Sequence, residues 1–206
     1  MASQPSAEDI AYLRHLSESG ARAPLVGGRF MAWWGFLLVI AYVAQNYAER
    51  GLLGDSNIVF AFIWGGFGLL GMTGQFVLAR SIAGKPGQGS AGNLAMRSVW
   101  TAGAWSIGAM VVGTAFLSNG QPLALGPHAW DFIVPVAFTA YACAMGVTGA
   151  LAGSGLLKIA AAGAVLFVAL FTALIRLPDR YLLVATAVAL TVMLPGLLLM
   201  RGEPKG

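Results

Sequence analysis

Apolar residues run along this chain in six blocks, each long enough to cross about 30 Å of hydrocarbon at 1.5 Å per residue. They lie at Phe30–Tyr47, Asn57–Ala79, Ser98–Leu117, Phe132–Ala152, Leu156–Ile175 and Tyr181–Met200. Turn chemistry separates them: Arg50-Gly51 and Gly54-Asp55, Gly84 to Gly92, Asn119-Gly120 to Pro127, Gly153-Ser154-Gly155, and Pro178-Asp179. The blocks are continuous and rich in Leu, Ala, Gly and Val, without the strict alternation of barrel strands, so they predict helices. The expected fold is all-α, a polytopic integral membrane protein with a bundle of six transmembrane helices.

Residues 1–27 read as an N-terminal arm carrying an amphipathic helix at about 6–19. Ser6 and Asp9 resemble a capping box, Ile10, Leu13 and Leu16 recur at every third position, and Gly20 ends the run. Glu8, Asp9 and Glu18 stand where a signal peptide would be basic, so the arm is expected to be retained. Residues 28–201 form the six-span domain and 202–206 a short tail.

Composition agrees with the pattern: 58% of residues are hydrophobic, 10% are charged and the mean hydropathy is +0.76. A soluble domain carries about 25% charge. The net charge of +4 is too small on such a chain to suggest nucleic-acid binding. The basic residues instead report orientation. Arg14, Arg22, Arg29, Arg80, Lys85, Arg97, Lys158, Arg201 and Lys205 fall on one side of the predicted spans, and Arg50, Arg176 and Arg180 on the other. By the positive-inside rule both termini are cytoplasmic, with the chain multi-pass in the cell inner (plasma) membrane.

A single cysteine, Cys143, excludes an internal disulfide, a thiolate zinc site and an iron–sulfur cluster. It reads as a small buried apolar residue. His15 and His128 fall on opposite sides, which leaves no pair for a haem and little for a metal. No cofactor and no metal site are expected.

Set without gaps over the fourth block, the second aligns Gly71-Met72-Thr73-Gly74 with Gly146-Val147-Thr148-Gly149. The odd blocks each start with a base followed by a glycine, at Arg29 and Gly35, Arg97 and Gly103, and Lys158 and Gly163. Three parallel helical hairpins would produce this pattern. Chance identity in apolar sequence would also produce it.

Three groups of residues are candidates for chemistry. The first is a helix-packing or solute path made of Gly71, Thr73, Gly74, Gln75, Gly146, Thr148 and Gly149. Small residues let helices approach closely in lipid, and an intramembrane amide finds a partner on another helix. Gly65, Gly68, Gly71 and Gly74 progress around the second helix, which is therefore expected to be central.

The second group, Arg29, Arg80, Arg97, Lys158 and Arg201, could contact an anionic lipid or ligand at the cytoplasmic end. The third is a polar cluster at the outer end: Glu49, Arg50, Asp55, His128, Asp131 and Arg176. It is the place where a cation or acid–base chemistry could be supported. The simpler expectation is a helix start, with Asp131 facing water near the N-terminus of the fourth span and His128 free in the loop.

No Asp, Glu or His falls in the middle of a block, which speaks against an ion-coupled pump. The function expected is non-catalytic: an accessory, scaffolding or sensory membrane subunit. Its partners are the lipid bilayer and another membrane protein or further copies of itself. The alternatives are a passive channel or facilitator for a small neutral solute and, more weakly, a membrane enzyme at the outer cluster.

Overall fold

The computed structural model describes residues 23–54, 56–118 and 130–203. Among them are six helices and no strand. They are α1 (Gly28–Glu49), α2 (Ser56–Ile82), α3 (Ala91–Ser118), α4 (Ile133–Leu151), α5 (Gly155–Leu174) and α6. The last runs through Arg180–Val188, a π-helical turn at Ala189–Met193 and Leu194–Arg201. The N-terminal amphipathic segment, Asp55 and His128 lie outside the described residues.

Each predicted block holds a helix. α3 starts seven residues before its apolar block, because hydrogen bonding continues through the polar turn of Gly92, Asn93 and Arg97 while hydropathy falls there. Five of the helices are long and apolar enough to cross a membrane, and α3 is 28 residues long.

Local chemistry explains the boundaries. α4 gives way to α5 at Gly153, whose φ of +64° suits a residue without Cβ, and Ser154 N–H returns to the Gly149 carbonyl at 2.9 Å. Ser154 then caps α5 by accepting from Leu157 N–H. Pro135 sits in the first turn of α4, where no backbone donor is missed. Pro195 lies inside α6, where its ring opposes the Thr191 carbonyl, and the π turn just before it widens the helix to absorb that conflict.

Packing follows the order α2, α1, α6, α5, α4, α3. α1 lies along the whole of α6, α4 packs broadly on both α3 and α5, and α5 meets α6 more lightly. The core is filled by Phe138, Met145, Leu157, Phe171, Val184 and Val188, each at most 1% exposed.

α2 is not the central helix. It packs on α1 alone to any extent, and only 6% of its apolar window is buried, against 50% for α1. Gly65 and Gly68 look into open space. Their spacing does turn around the helix, but among the described residues the other faces of α2 are left exposed, because α1 pairs with α6 instead.

The aligned glycines also differ in role. Gly71 and Gly74 lie under the indole rings of Trp34 and Trp33 on the preceding helix, whereas Gly149 packs on Leu157 and Lys158 of the following one. Gly35 faces Met193 of α6 and Gly103 faces Ala140 of α4. This packing gives no support to three equivalent hairpins.

Candidate functional site

The best-developed polar site joins α1, the turn before α4 and the start of α6, at the end the sequence assigns to the outside. On α1, Tyr42, Gln45, Asn46 and Glu49 recur at helical spacing and so share one face. Asp131 lies in the short 3₁₀ turn that leads into α4, and Arg180 and Tyr181 open α6.

Arg180 is the hub. Its Nε donates to Asp131 Oδ1 at 3.1 Å and its Nη2 to Glu49 Oε2 at 2.7 Å. Tyr181 donates its hydroxyl to the same Asp131 oxygen. The guanidinium also rests 4.7 Å from the Tyr181 ring centroid, which stacks on Tyr42 at 6.0 Å. Around this centre Asn46 Nδ2 donates to Asp179 Oδ1 at 3.0 Å, Arg50 pairs with Asp179, and Trp64 Nε1 donates to Gln45 Oε1 at 3.1 Å.

The expectation for Asp131 is overturned: it is 2% exposed, not a solvated helix start. A carboxylate so buried needs a compensating charge and donors. Arg180 and Tyr181 supply them from the neighbouring α6. Arg176 does not join the cluster, since it is exposed just beyond the end of α5. Glu49, Arg50 and Asp131 are brought together, while Asp55 and His128 fall outside the described residues.

Sequence reasoning placed Arg180 on this face but assigned it no role, and Tyr181 was missed. The usable signal was the pair of polar residues opening an otherwise apolar helix, opposite the Tyr42–Glu49 stripe of α1.

The packing group divides. Gln75 Oε1 accepts from Trp34 Nε1 at 2.9 Å, an amide joining two helices as expected of one in lipid. Thr73 is exposed and donates its hydroxyl to the Leu69 carbonyl. Thr148 and Gly149 are buried, and Gly146 is half-buried against Ala161.

The basic group divides. Arg80, Arg97, Lys158 and Arg201 are exposed on four separate helices. Arg29 alone turns inward and pairs with Glu203, whose Oε2 also lies 3.4 Å from Lys85 Nζ. Cys143 is exposed rather than buried. It faces a shallow groove between α3 and α4 beside Ser106, Pro135 and Thr139. No group of three or more metal-ligating side chains occurs among the described residues.

At the outer cluster the two guanidinium groups of Arg180 and Arg50 face the carboxylates of Glu49, Asp131 and Asp179. Each of these five side chains is ion-paired with another of them, across three segments distant in sequence. Chemically the arrangement is an interhelical clasp. No family model, curated protein or solved structure matches the chain.

Proposed function

We propose that the chain is a non-catalytic, multi-pass membrane protein that serves as a scaffolding, accessory or sensory subunit. The observation that carries this reading is the pairing of Arg180 with Asp131 and Glu49. The polar groups that a transporter or enzyme would present to a substrate are here engaged in holding α1, α4 and α6 together. The interior between the ends is packed with apolar side chains. A facilitator for a neutral solute would need hydrogen-bonding groups along a continuous route in place of the bonds lost to water.

Flux tests the choice. In proteoliposomes the protein is expected to leave glycerol and urea permeation at the rate of protein-free vesicles. Permeation that rises in proportion to the amount of protein would replace this reading with the facilitator.

The orientation belongs to the same proposal: an inner or plasma membrane with both termini cytoplasmic. Its support is the excess of Lys and Arg at the end that holds Arg29, Arg80, Arg97, Lys158 and Arg201. Reporter fusions after Gln121 and after Gly206 are expected to read outside and inside respectively. A Gly206 fusion that is active outside would reverse the assignment.

A further inference from the structure

We propose that Arg29, Lys85 and Ser81 form a phosphate-binding cradle at the inner end of the bundle. The chain's own Glu203 carboxylate occupies it, and an anionic lipid headgroup competes for it. The inference rests on the membrane reading above and goes beyond it by naming a ligand class and the group that excludes it.

The donors converge on one point. Arg29 Nε donates to Glu203 Oε2 at 3.0 Å, Arg29 Nη2 bonds the same oxygen, and Lys85 Nζ approaches it at 3.4 Å. A guanidinium fork and an ammonium on a single oxyanion form the donor set that recognises a phosphate oxygen as readily as a carboxylate.

The cradle is braced without help from Glu203. Arg29 Nη1 donates to Ser81 Oγ at 2.6 Å, and Ser81 in turn bonds the Leu78 carbonyl, so the end of α2 orients the guanidinium. Lys85 belongs to the α2–α3 loop, which Asn93 pins: its Nδ2 donates to the Gly87 and Pro24 carbonyls and its Oδ1 accepts from Val26 N–H.

The occupant is held less well than its cradle. Glu203 lies just past the end of α6, its side chain is 3% exposed, and its Oε1 is buried with no hydrogen-bond partner. A buried carboxylate satisfied at one oxygen only carries an uncompensated desolvation cost, which makes it displaceable. The site lies where the ends of α1, α2 and α6 meet, which is headgroup level if these helices span the bilayer.

The test compares wild type, Glu203→Gln and Glu203→Ala in nanodiscs of mixed phosphatidylglycerol and phosphatidylcholine. Bound lipids are counted by native mass spectrometry. Both variants are expected to retain phosphatidylglycerol over phosphatidylcholine about fivefold more than wild type does, the factor expected for one basic contact released to an anionic surface. Adding Arg29→Gln to Glu203→Gln is expected to abolish the gain.

Lipid that stays bound in millimolar inorganic phosphate supports the headgroup as the ligand. Displacement by phosphate supports the cradle with free phosphate as its ligand. Folded Glu203 variants with wild-type retention would overturn the proposal. So would a gain that survives loss of Arg29, since it would come from the exposed bases instead. A protein that fails to enter nanodiscs at all would overturn the membrane reading, and that is seen before any lipid is counted.

Discussion

Arg180→Ala is expected to destabilise the bundle by about 3–5 kcal/mol, the cost of removing one partner of a buried ion pair. The arginine side chain is 15% exposed and Asp131 only 2%, so water cannot take the place of the guanidinium beside the carboxylate. Tyr181 would still donate to Asp131, but a neutral hydroxyl does not replace the charge of the guanidinium. Glu49, at 36% exposure, would re-solvate, so most of the loss comes from the Asp131 arm.

Two further variants separate this mechanism from simple loss of packing. Arg180→Met combined with Asp131→Leu is expected to be less destabilised than Arg180→Met alone, because the carboxylate that the guanidinium balanced has gone. Arg176→Ala, at an exposed position, is expected to change stability by less than about 0.5 kcal/mol. Equilibrium unfolding in mixed detergent micelles gives all of these values. If Arg180→Ala unfolds like Arg176→Ala, the clasp holds nothing.

The clasp also shows where sequence reasoning stopped. Runs of apolar residues located all six helices, because length and hydropathy are local properties that no neighbour can change. Which helices pair is not local. The rotation of glycines around α2 suggested many neighbours, yet α1 meets α6 through Gly28 and Gly196, residues far apart in the chain that no periodicity links. Sequence position likewise ranked Asp131 by its own helix, where a dipole explains an acid. Its burial is decided by Arg180 and Tyr181, whose arrival depends on the α1–α6 pairing.

The basic residues divide for a related reason. Charge counting treated Arg29 as one of five equivalents, but among the described residues Arg29 alone of the five lies beside an acid, Glu203, just past the end of α6. An acid just past the end of the last apolar block, on the inner side, was the available signal. By contrast, Gln75 was legible, because an amide deep in an apolar helix has few ways to satisfy itself other than a donor across the interface, and Trp34 is that donor.

The α1–α6 crossing leads to the second large effect: Gly196→Ala is expected to cost about 2–3 kcal/mol, although the change adds one methyl group to an apolar helix. A Cβ at Gly196 would meet the Ala32 backbone nitrogen, and would lie 2.8 Å from the Gly28 carbonyl oxygen. These are backbone atoms of α1, not the ends of flexible side chains, so relief requires the helices to separate. In the other direction, a Cβ at Gly28 would lie 2.8 Å from the Gly196 carbonyl oxygen and the Met200 nitrogen, so Gly28→Ala is expected to behave alike.

Separation is costly because in lipid no hydrophobic drive holds the pair, only contact and hydrogen bonding at close range. It would also be resisted from both ends, where Arg180 with Glu49 and Arg29 with Glu203 tie the same two helices. Gly71→Leu is expected to lose less stability than Gly196→Ala, because its neighbour is the Trp34 side chain and not backbone, although moving that ring gives up its hydrogen bond to Gln75. Gly65→Leu faces open space and is expected to be neutral within about 0.5 kcal/mol. Thermal melting in detergent should therefore order the variants with Gly196→Ala lowest and Gly65→Leu at wild type. A Gly196→Ala protein that melts with wild type would mean that α1 and α6 do not cross at their glycines, and the clasps at their two ends would lose the geometry that brings them together.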